Sequence, residues 1–321
     1  MWWEPILNII LLAGGMFLLI KGADWFVEGA SSVAKAMKIP SLVIGLTLVS
    51  LGTSMPEFSV SLTSSLKNMN DMSYGNVIGS NIFNVLVVIG ISALFTPMLV
   101  SRHMQKYDIP ILIGIYLLLM LFSFVITPNI INLVEAIILF SLTIIYTVFL
   151  ILRSRNEIKE NEEVVESKRK WWLNLILIVV GLASIIFGGD LVVENASSLA
   201  LKLHMSEMLI GLTIVAVGTS LPELVTSMVA AKKGENDIAI GNAIGSCLFN
   251  IILILGFCSI FAPTKVELSS LVDVIVMLIS VVMIFLFSLK TKEVNRKQGI
   301  ILIICYAIYL SYIILRNIYQ F

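Results

Sequence analysis

Gly52-Thr53-Ser54-Met55-Pro56-Glu57 recurs as Gly218-Thr219-Ser220-Leu221-Pro222-Glu223, and Gly75-Asn76-Val77-Ile78-Gly79-Ser80 recurs as Gly241-Asn242-Ala243-Ile244-Gly245-Ser246. Around these blocks, residues 24–97 align with 190–263 at a constant offset of 166, with 31 identities in 74 positions and no gap. A shared apolar composition does not reproduce four polar blocks in one register. Beyond residue 97 the similarity fades into general hydrophobicity. Both copies lie in apolar stretches long enough to cross a bilayer, and each sets one carboxylate inside such a stretch.

The rest of the chain fits that setting. Of 321 residues, 58% are apolar and 13% charged, and the mean hydropathy is +1.00. Soluble domains carry about 25% charged residues. Apolar runs of helical length predict an all-α polytopic membrane protein with ten transmembrane helices. The expected spans are 5–30, 41–66, 73–96, 108–127, 130–152, 171–200, 207–231, 237–262, 268–289 and 298–319. Transmembrane strands would be shorter and alternating. Zero net charge gives no footprint for nucleic acid, and Cys247, Cys258 and Cys305 have neither disulfide nor zinc spacing. The start lacks the basic residues of a signal peptide, so the first run reads as a retained span with Trp2 and Trp3 at the interface.

A charged linker, 153–170, divides the chain into a first five-helix repeat, 1–152, and a second, 171–321. Five is odd, so the second repeat enters the membrane in the opposite sense. The plan is two inverted-topology five-helix repeats, an arrangement that recurs in alternating-access carriers. With the N-terminus outside, 16 Lys and Arg fall in inside loops and 4 in outside loops. That bias predicts a multi-pass protein of the cell membrane with both termini outside and the central linker cytoplasmic.

The motif residues point to cations. A charge near the bilayer centre costs about 2.5–3.5 kcal/mol on insertion scales. Glu57 and Glu223 stand mid-span with no Lys or Arg at matching depth, since Lys21 has Asp24 as a local mate. Pro56 and Pro222 have no N–H for the carbonyls of Gly52 and Gly218, so each span should kink or unwind there. The bland reading of each proline is a packing kink; its pairing with a glutamate, twice, argues against that. Loosened carbonyls beside a carboxylate make a hard-oxygen environment suited to sodium or calcium. Thr53 shares a helix face with Glu57, Ser80 with Asn84, and Ser246 with Asn250. Taken singly, such residues more often hydrogen-bond between helices than ligate ions. The glycines of the second block read as close-packing positions. Asp71 and Asp237 read as helix N-caps.

At GTSxPE and GNxxGSxxFN, duplicated and inverted, the chain resembles the cation/calcium exchanger superfamily, and most of all the compact prokaryotic sodium/calcium exchangers of the potassium-independent kind. The resemblance covers the whole ten-span plan. It implies a diamond of four cation sites between the second, third, seventh and eighth helices. By position, Glu57 and Glu223 are the central ligands, with Thr53 and Thr219 beside them. Ser54 with Ser80, and Ser220 with Ser246, flank them. Backbone carbonyls at Ser50 and Ala216 contribute, and Asn84 and Asn250 complete the middle layer. It also implies that the first and sixth helices slide across this core. Some relatives carry an aspartate at the position of Asn250, so the core here holds two carboxylates rather than three; Cys247 replaces an expected Asn and reads as packing.

The resulting expectation is a secondary antiporter, not an enzyme, that exchanges Ca2+ for Na+ by alternating access. It would have no cofactor beyond the transported ions and act as a monomer in the bilayer. Two ionised glutamates match one Ca2+, and the same site with three Na+ carries one net positive charge. Protons should compete with metal for the pair. The rivals are a calcium/proton antiporter on the same fold, a cation channel, and an intramembrane hydrolase, for which no nucleophile–base pair is evident.

Overall fold

The computed structural model describes residues 4–67, 70–160, 171–202 and 216–319. Trp2, Trp3, residues 161–170 of the linker and residues 207–215 of the expected seventh span lie outside them. Among the described residues, eight helices are long and apolar enough to cross a membrane: Ile6–Met37, Met72–Phe95, Met104–Ile126, Leu133–Ser154, Trp171–Leu199, Asn236–Phe261, Ser270–Thr291 and Arg296–Arg316. A further crossing is a bent pair, Ser41–Thr53 and Met55–Leu66, turning by 49°. The seventh expected span is described as a turn, Ala216–Gly218, and a helix, Leu221–Lys232. The third and eighth spans lie at the centre, with 83% and 78% of their apolar windows buried, against 22% and 28% for the first and sixth.

The first and sixth helices are the longest, Glu4–Met37 and Trp171–Lys202. At 1.5 Å per residue each reaches about 50 Å, well beyond a hydrocarbon core of about 30 Å. They pack antiparallel through glycines seven residues apart, a spacing that returns to the same helix face. A Cβ on Gly15 would lie 2.8 Å from the Gly188 carbonyl oxygen, and one on Gly22 2.8 Å from that of Gly181. Gly15 and Gly181, like Gly22 and Gly188, are themselves 166 apart, so the repeat reaches further upstream than residue 24.

The repeat also persists beyond residue 97, where sequence similarity fades. Met98–Leu99 pairs antiparallel with Glu293–Val294, and Ile130–Ile131 with Thr264–Lys265. The pseudo-two-fold exchanges these ribbons. Each ribbon is entered through a left-handed residue, Lys292 (φ 54°) or Asn129 (φ 68°). The carbonyls of these residues accept from the N–H groups of Val100 and Val266, both at 2.9 Å.

Three expectations change. The fifth-span helix continues to Glu160, because residues 153–160 are good helix formers, so the linker starts later than 153. Asp24 takes Lys233 at 2.7 Å rather than Lys21, since a tertiary partner outcompetes a helix neighbour. With Lys35–Glu235 at 3.0 Å, this pair ties the first helix to the turn after the seventh span. Asp237 is the second residue of the helix Asn236–Phe249, not its cap, and in the first turn it still meets the favourable end of the helix dipole; Asp71 lies within the helix Asn70–Phe83 rather than ahead of it.

Gly22→Leu should lower stability by about 1–3 kcal/mol or more through overpacking against backbone. Gly14→Leu, whose Cβ meets nothing within 4 Å, should be close to neutral. Thermal unfolding in detergent checks this; equal melting shifts would contradict the packing.

Candidate cation site

Ser54 and Ser220 are the hinges of the two broken spans. Each stands just before a 12-residue half-helix, Met55–Leu66 or Leu221–Lys232, with proline at its second position. A proline in the first turn is well tolerated, and here it starts the half-helix rather than only kinking a continuous one. Ser-x-x-Glu in this place is the signature of a capping box, in which serine and glutamate satisfy each other's backbone. Here neither serine caps its own helix. Ser54 instead donates to Glu223 Oε1 at 2.8 Å, and Ser220 donates to Glu57 Oε1 at 2.9 Å. Each serine thus serves the carboxylate of the other half instead of its own helix end.

The central helices complete each pair. Ser80 donates to Glu57 Oε1 and Ser246 to Glu223 Oε1, both at 3.4 Å. Ser220 contacts Ser80 at 3.1 Å, and Ser54 contacts Ser246 at 3.0 Å. Both glutamates, Ser220 and Ser246 are fully buried, with Ser54 and Ser80 nearly so. Each carboxylate is therefore satisfied on one oxygen only: Glu57 Oε2 and Glu223 Oε2 are buried without a protein partner.

Asn84 and Asn250 are fully buried too, and neither the amide nitrogen nor the oxygen of either has a partner. Both asparagines open a stretch of π-helix, Asn84–Val88 and Asn250–Leu255. Such wide turns disturb the regular ladder and concentrate at functional sites. Native interiors leave few polar atoms unsatisfied. Here six side-chain atoms of four repeat-related residues are unsatisfied, and the four oxygens among them are donors of the kind a hard cation needs. Among the described residues no group of three or more His, Cys, Asp and Glu could hold a metal. The site thus has two anionic groups surrounded by neutral oxygens.

Thr53 and Thr219 differ. Thr53 Oγ1 is 3.0 Å from Asn242 Oδ1 and also reaches the Val49 and Ser50 carbonyls. Thr219 Oγ1 is buried with no partner. The Ser50 carbonyl accepts from Ser246 at 3.5 Å, which places it at the edge of the site. Ala216 begins the described part of the seventh span. Cys247 is buried, with its thiol 3.7 Å from the Asn81 carbonyl.

Two residues within the repeated blocks have a role not foreseen. Asn76 donates to the Glu57 carbonyl at 3.2 Å and to Ser61 at 3.0 Å. Asn242 donates to the Glu223 carbonyl at 3.3 Å and to Ser227 at 2.9 Å. They fix the backbone of each glutamate. The signal was their identity in both copies together with Ser61 and Ser227, 166 apart.

The family pattern described as sodium/calcium exchanger protein matches residues 7–152 and 173–315. The chain is 33% identical over 345 residues to the sodium/calcium exchanger MaX1 of Methanosarcina acetivorans, covering 94% of this chain and 97% of that one. It is 36% identical over 307 residues to the putative antiporter CaxA of Alkalimonas amylolytica, with 92% and 95% covered. A solved structure of the sodium-calcium exchanger NCX_Mj, soaked with Na+ and Sr2+, superimposes with a TM-score of 0.84 at 32% identity, over 96% of this chain and 99% of the other. An inverted pair of five-helix halves with one glutamate from each in a shared, oxygen-lined site is thus not an isolated pattern: the chain belongs to the sodium/calcium exchanger protein family.

Proposed function

We propose that this protein exchanges Ca2+ for Na+ across the cell membrane through the Glu57–Glu223 site. The supporting observation is the set of partnerless oxygens on Glu57, Glu223, Asn84 and Asn250 at the centre of an apolar helical bundle. Both ions need the same two carboxylates, so loading one displaces the other; shared occupancy is what couples two fluxes. Calcium coordinates six to eight oxygens at 2.3–2.6 Å in flexible geometry. The serines, Thr53, Thr219 and the carbonyls at Ser50 and Ala216 are the neutral ligands assigned to the outer positions.

The inverted halves support alternating access. Each face of the membrane meets the same arrangement from a different half, and the first and sixth helices, packed mainly on each other, are the elements assigned to slide. One chain supplies both halves of the site, which supports a monomer. The cation bias supports a cytoplasmic linker and outside termini; Arg153 and Arg316 are ion-paired rather than free loop charges, and setting aside one cation from each side leaves the bias intact.

Proteoliposomes with an imposed sodium gradient should accumulate calcium. Failure of sodium to drive uptake, or uptake driven by a pH gradient alone, would overturn the reading in favour of a channel or a proton-coupled carrier. Glu57→Gln and Glu223→Gln each remove half of the anionic charge. Even about 3 kcal/mol of lost attraction is roughly a hundredfold in affinity, so uptake by either variant should fall to background. Protonation neutralises the same oxygens that hold the metal. Lowering pH through the carboxylate titration range should therefore raise the KM for calcium, and excess calcium should restore the rate; a KM flat with pH would count against direct ligation.

A further inference from the structure

The two repeat-related ribbons lie at opposite faces of the membrane, and they differ in charge. The ribbon of Met98–Leu99 and Glu293–Val294 joins the loop between the third and fourth spans to the loop between the ninth and tenth. Residues 98–106 and 290–298 hold Arg102, Lys106, Lys290, Lys292, Arg296 and Lys297 against one carboxylate, Glu293. The corresponding stretches at the other ribbon, 127–135 and 264–271, hold one Lys and two Glu. The ribbon fold therefore does not need the six cations, since its twin forms without them.

Hydrogen bonds draw these charges into one patch. The Val100 N–H donates to the Lys292 carbonyl at 2.9 Å, and the Gln105 amide donates to the Ser288 carbonyl at 2.7 Å. Arg102 and Lys106 are thus fastened beside Lys290 and Lys292, and the pairing of Met98 with Val294 brings Arg296 and Lys297 to the same ribbon. All six side chains are exposed, and neither they nor Glu293 are ion-paired among the described residues. Asp108, two residues from Lys106, is taken by Arg153 at 3.0 Å and by the Tyr146 hydroxyl at 3.1 Å. Asp273, at the other face, is taken in the same way by Arg316 and the Tyr309 hydroxyl, both at 3.1 Å.

Nor do the helices call for the six cations. Arg296 and Lys297 open the helix Arg296–Tyr319, where the dipole favours acidic residues. At the other ribbon the helices Leu133–Glu160 and Ser270–Thr291 carry Glu135 and Asp273 in their first turns, the favoured sign. A bias for orientation sets the side on which cations lie, but cations spread along separate loops meet it equally well.

The ribbon sits where spans leave the bilayer, at the cytoplasmic face under the orientation proposed above. Clusters of about four to eight Lys and Arg at that level attract anionic headgroups. We propose that this ribbon is a binding surface for anionic phospholipid headgroups, whose phosphates contact Arg102, Lys106, Lys290, Lys292, Arg296 and Lys297. Because the ribbon ties a loop of the first half to a loop of the second, a headgroup seated on it touches both.

The test is lipid retention by the purified chain in detergent, measured by native mass spectrometry with phosphatidylglycerol and phosphatidylcholine offered in equal amounts. Wild type should retain phosphatidylglycerol in preference, and the preference should fall as salt rises. Each cation near an anionic surface contributes roughly fivefold in affinity, so Arg102→Gln/Lys292→Gln/Arg296→Gln should weaken the preference about tenfold or more. The same number of changes in other loops, Lys38→Gln/Lys67→Gln/Lys265→Gln, should leave it intact. Equal loss in both variants would make net charge the cause and overturn the proposal. So would equal retention of both lipids by wild type, a preference insensitive to salt, or equal retention of soluble glycerol phosphate, which marks a phosphate site without lipid. A preference that emerges only after Glu162→Gln/Glu163→Gln/Glu166→Gln would give the patch to the linker's own carboxylates and overturn it too. The wild-type salt series decides the matter if a variant does not fold. Transport is not the readout, so the outcome stands apart from the exchange reading.

Discussion

The structure depends on how two carboxylates are held in a place that has almost no water. A mid-membrane glutamate must find polar partners or a counter-charge. Each glutamate here finds its shorter side-chain hydrogen bond in the other half: Ser54 serves Glu223 and Ser220 serves Glu57. The requirement explains several features together. The spans must break at these serines, so a proline opens the following half-helix. The serines must be released from capping their own helices. The third and eighth helices must come close, which brings Ser80 and Ser246 to the same oxygens. One oxygen of each carboxylate and the side-chain oxygens of Asn84 and Asn250 are left without a protein partner, available to a cation in the exchange proposed above.

The symmetry is incomplete in detail. Gly241 and Gly245 pack against the backbone of Gly45 and Leu46, with the Ser50 hydroxyl also touching Gly245; the residues that the repeat sets against Gly75 and Gly79, 211 and 212, lie outside the described residues. Thr53 is hydrogen-bonded and Thr219 is not. Asp108 and Arg153 form an ion pair with side chains 0% and 8% exposed, and the repeat-related pair Asp273 and Arg316 is 10% and 18% exposed. Asp24 is paired with Lys233, while the repeat-related residues Asp190 and Lys67 form no ion pair with each other among the described residues.

Much of this was legible in the sequence, and the limits have physical causes. The central residues were legible because polar groups in an apolar stretch stand out, and because the repeat doubled every signal. The reach of each serine to the other half was not. Ser-x-x-Glu predicts a local bond, and only tertiary packing reveals that both serines reach across. The same local bias gave Asp24 to Lys21 rather than to Lys233. The downstream repeat escaped notice for another reason. Lipid-facing positions accept any apolar residue, so identity erodes there, and the register slips from 166 at Val100 and Val266 to 165 at Asp108 and Asp273, then 163 at Arg153 and Arg316. An ungapped comparison loses the thread where a search for matched Asp, Tyr and Arg would keep it.

The use of two carboxylates, rather than a larger acidic cluster, bears on turnover. A carrier must release what it binds, and calcium affinity climbs with the number of charged ligands and the rigidity of the site. Two glutamates balance one Ca2+ without excess, and hydroxyls, amides and carbonyls complete the shell without adding charge. The serines that share each glutamate's first oxygen also couple the halves mechanically: moving Ser54 disturbs Glu223, and moving Ser220 disturbs Glu57. Neither half can rearrange without changing the ligand geometry of the other. In the proposed exchange, that linkage would carry a shift of the helices at one face to an ion held from both.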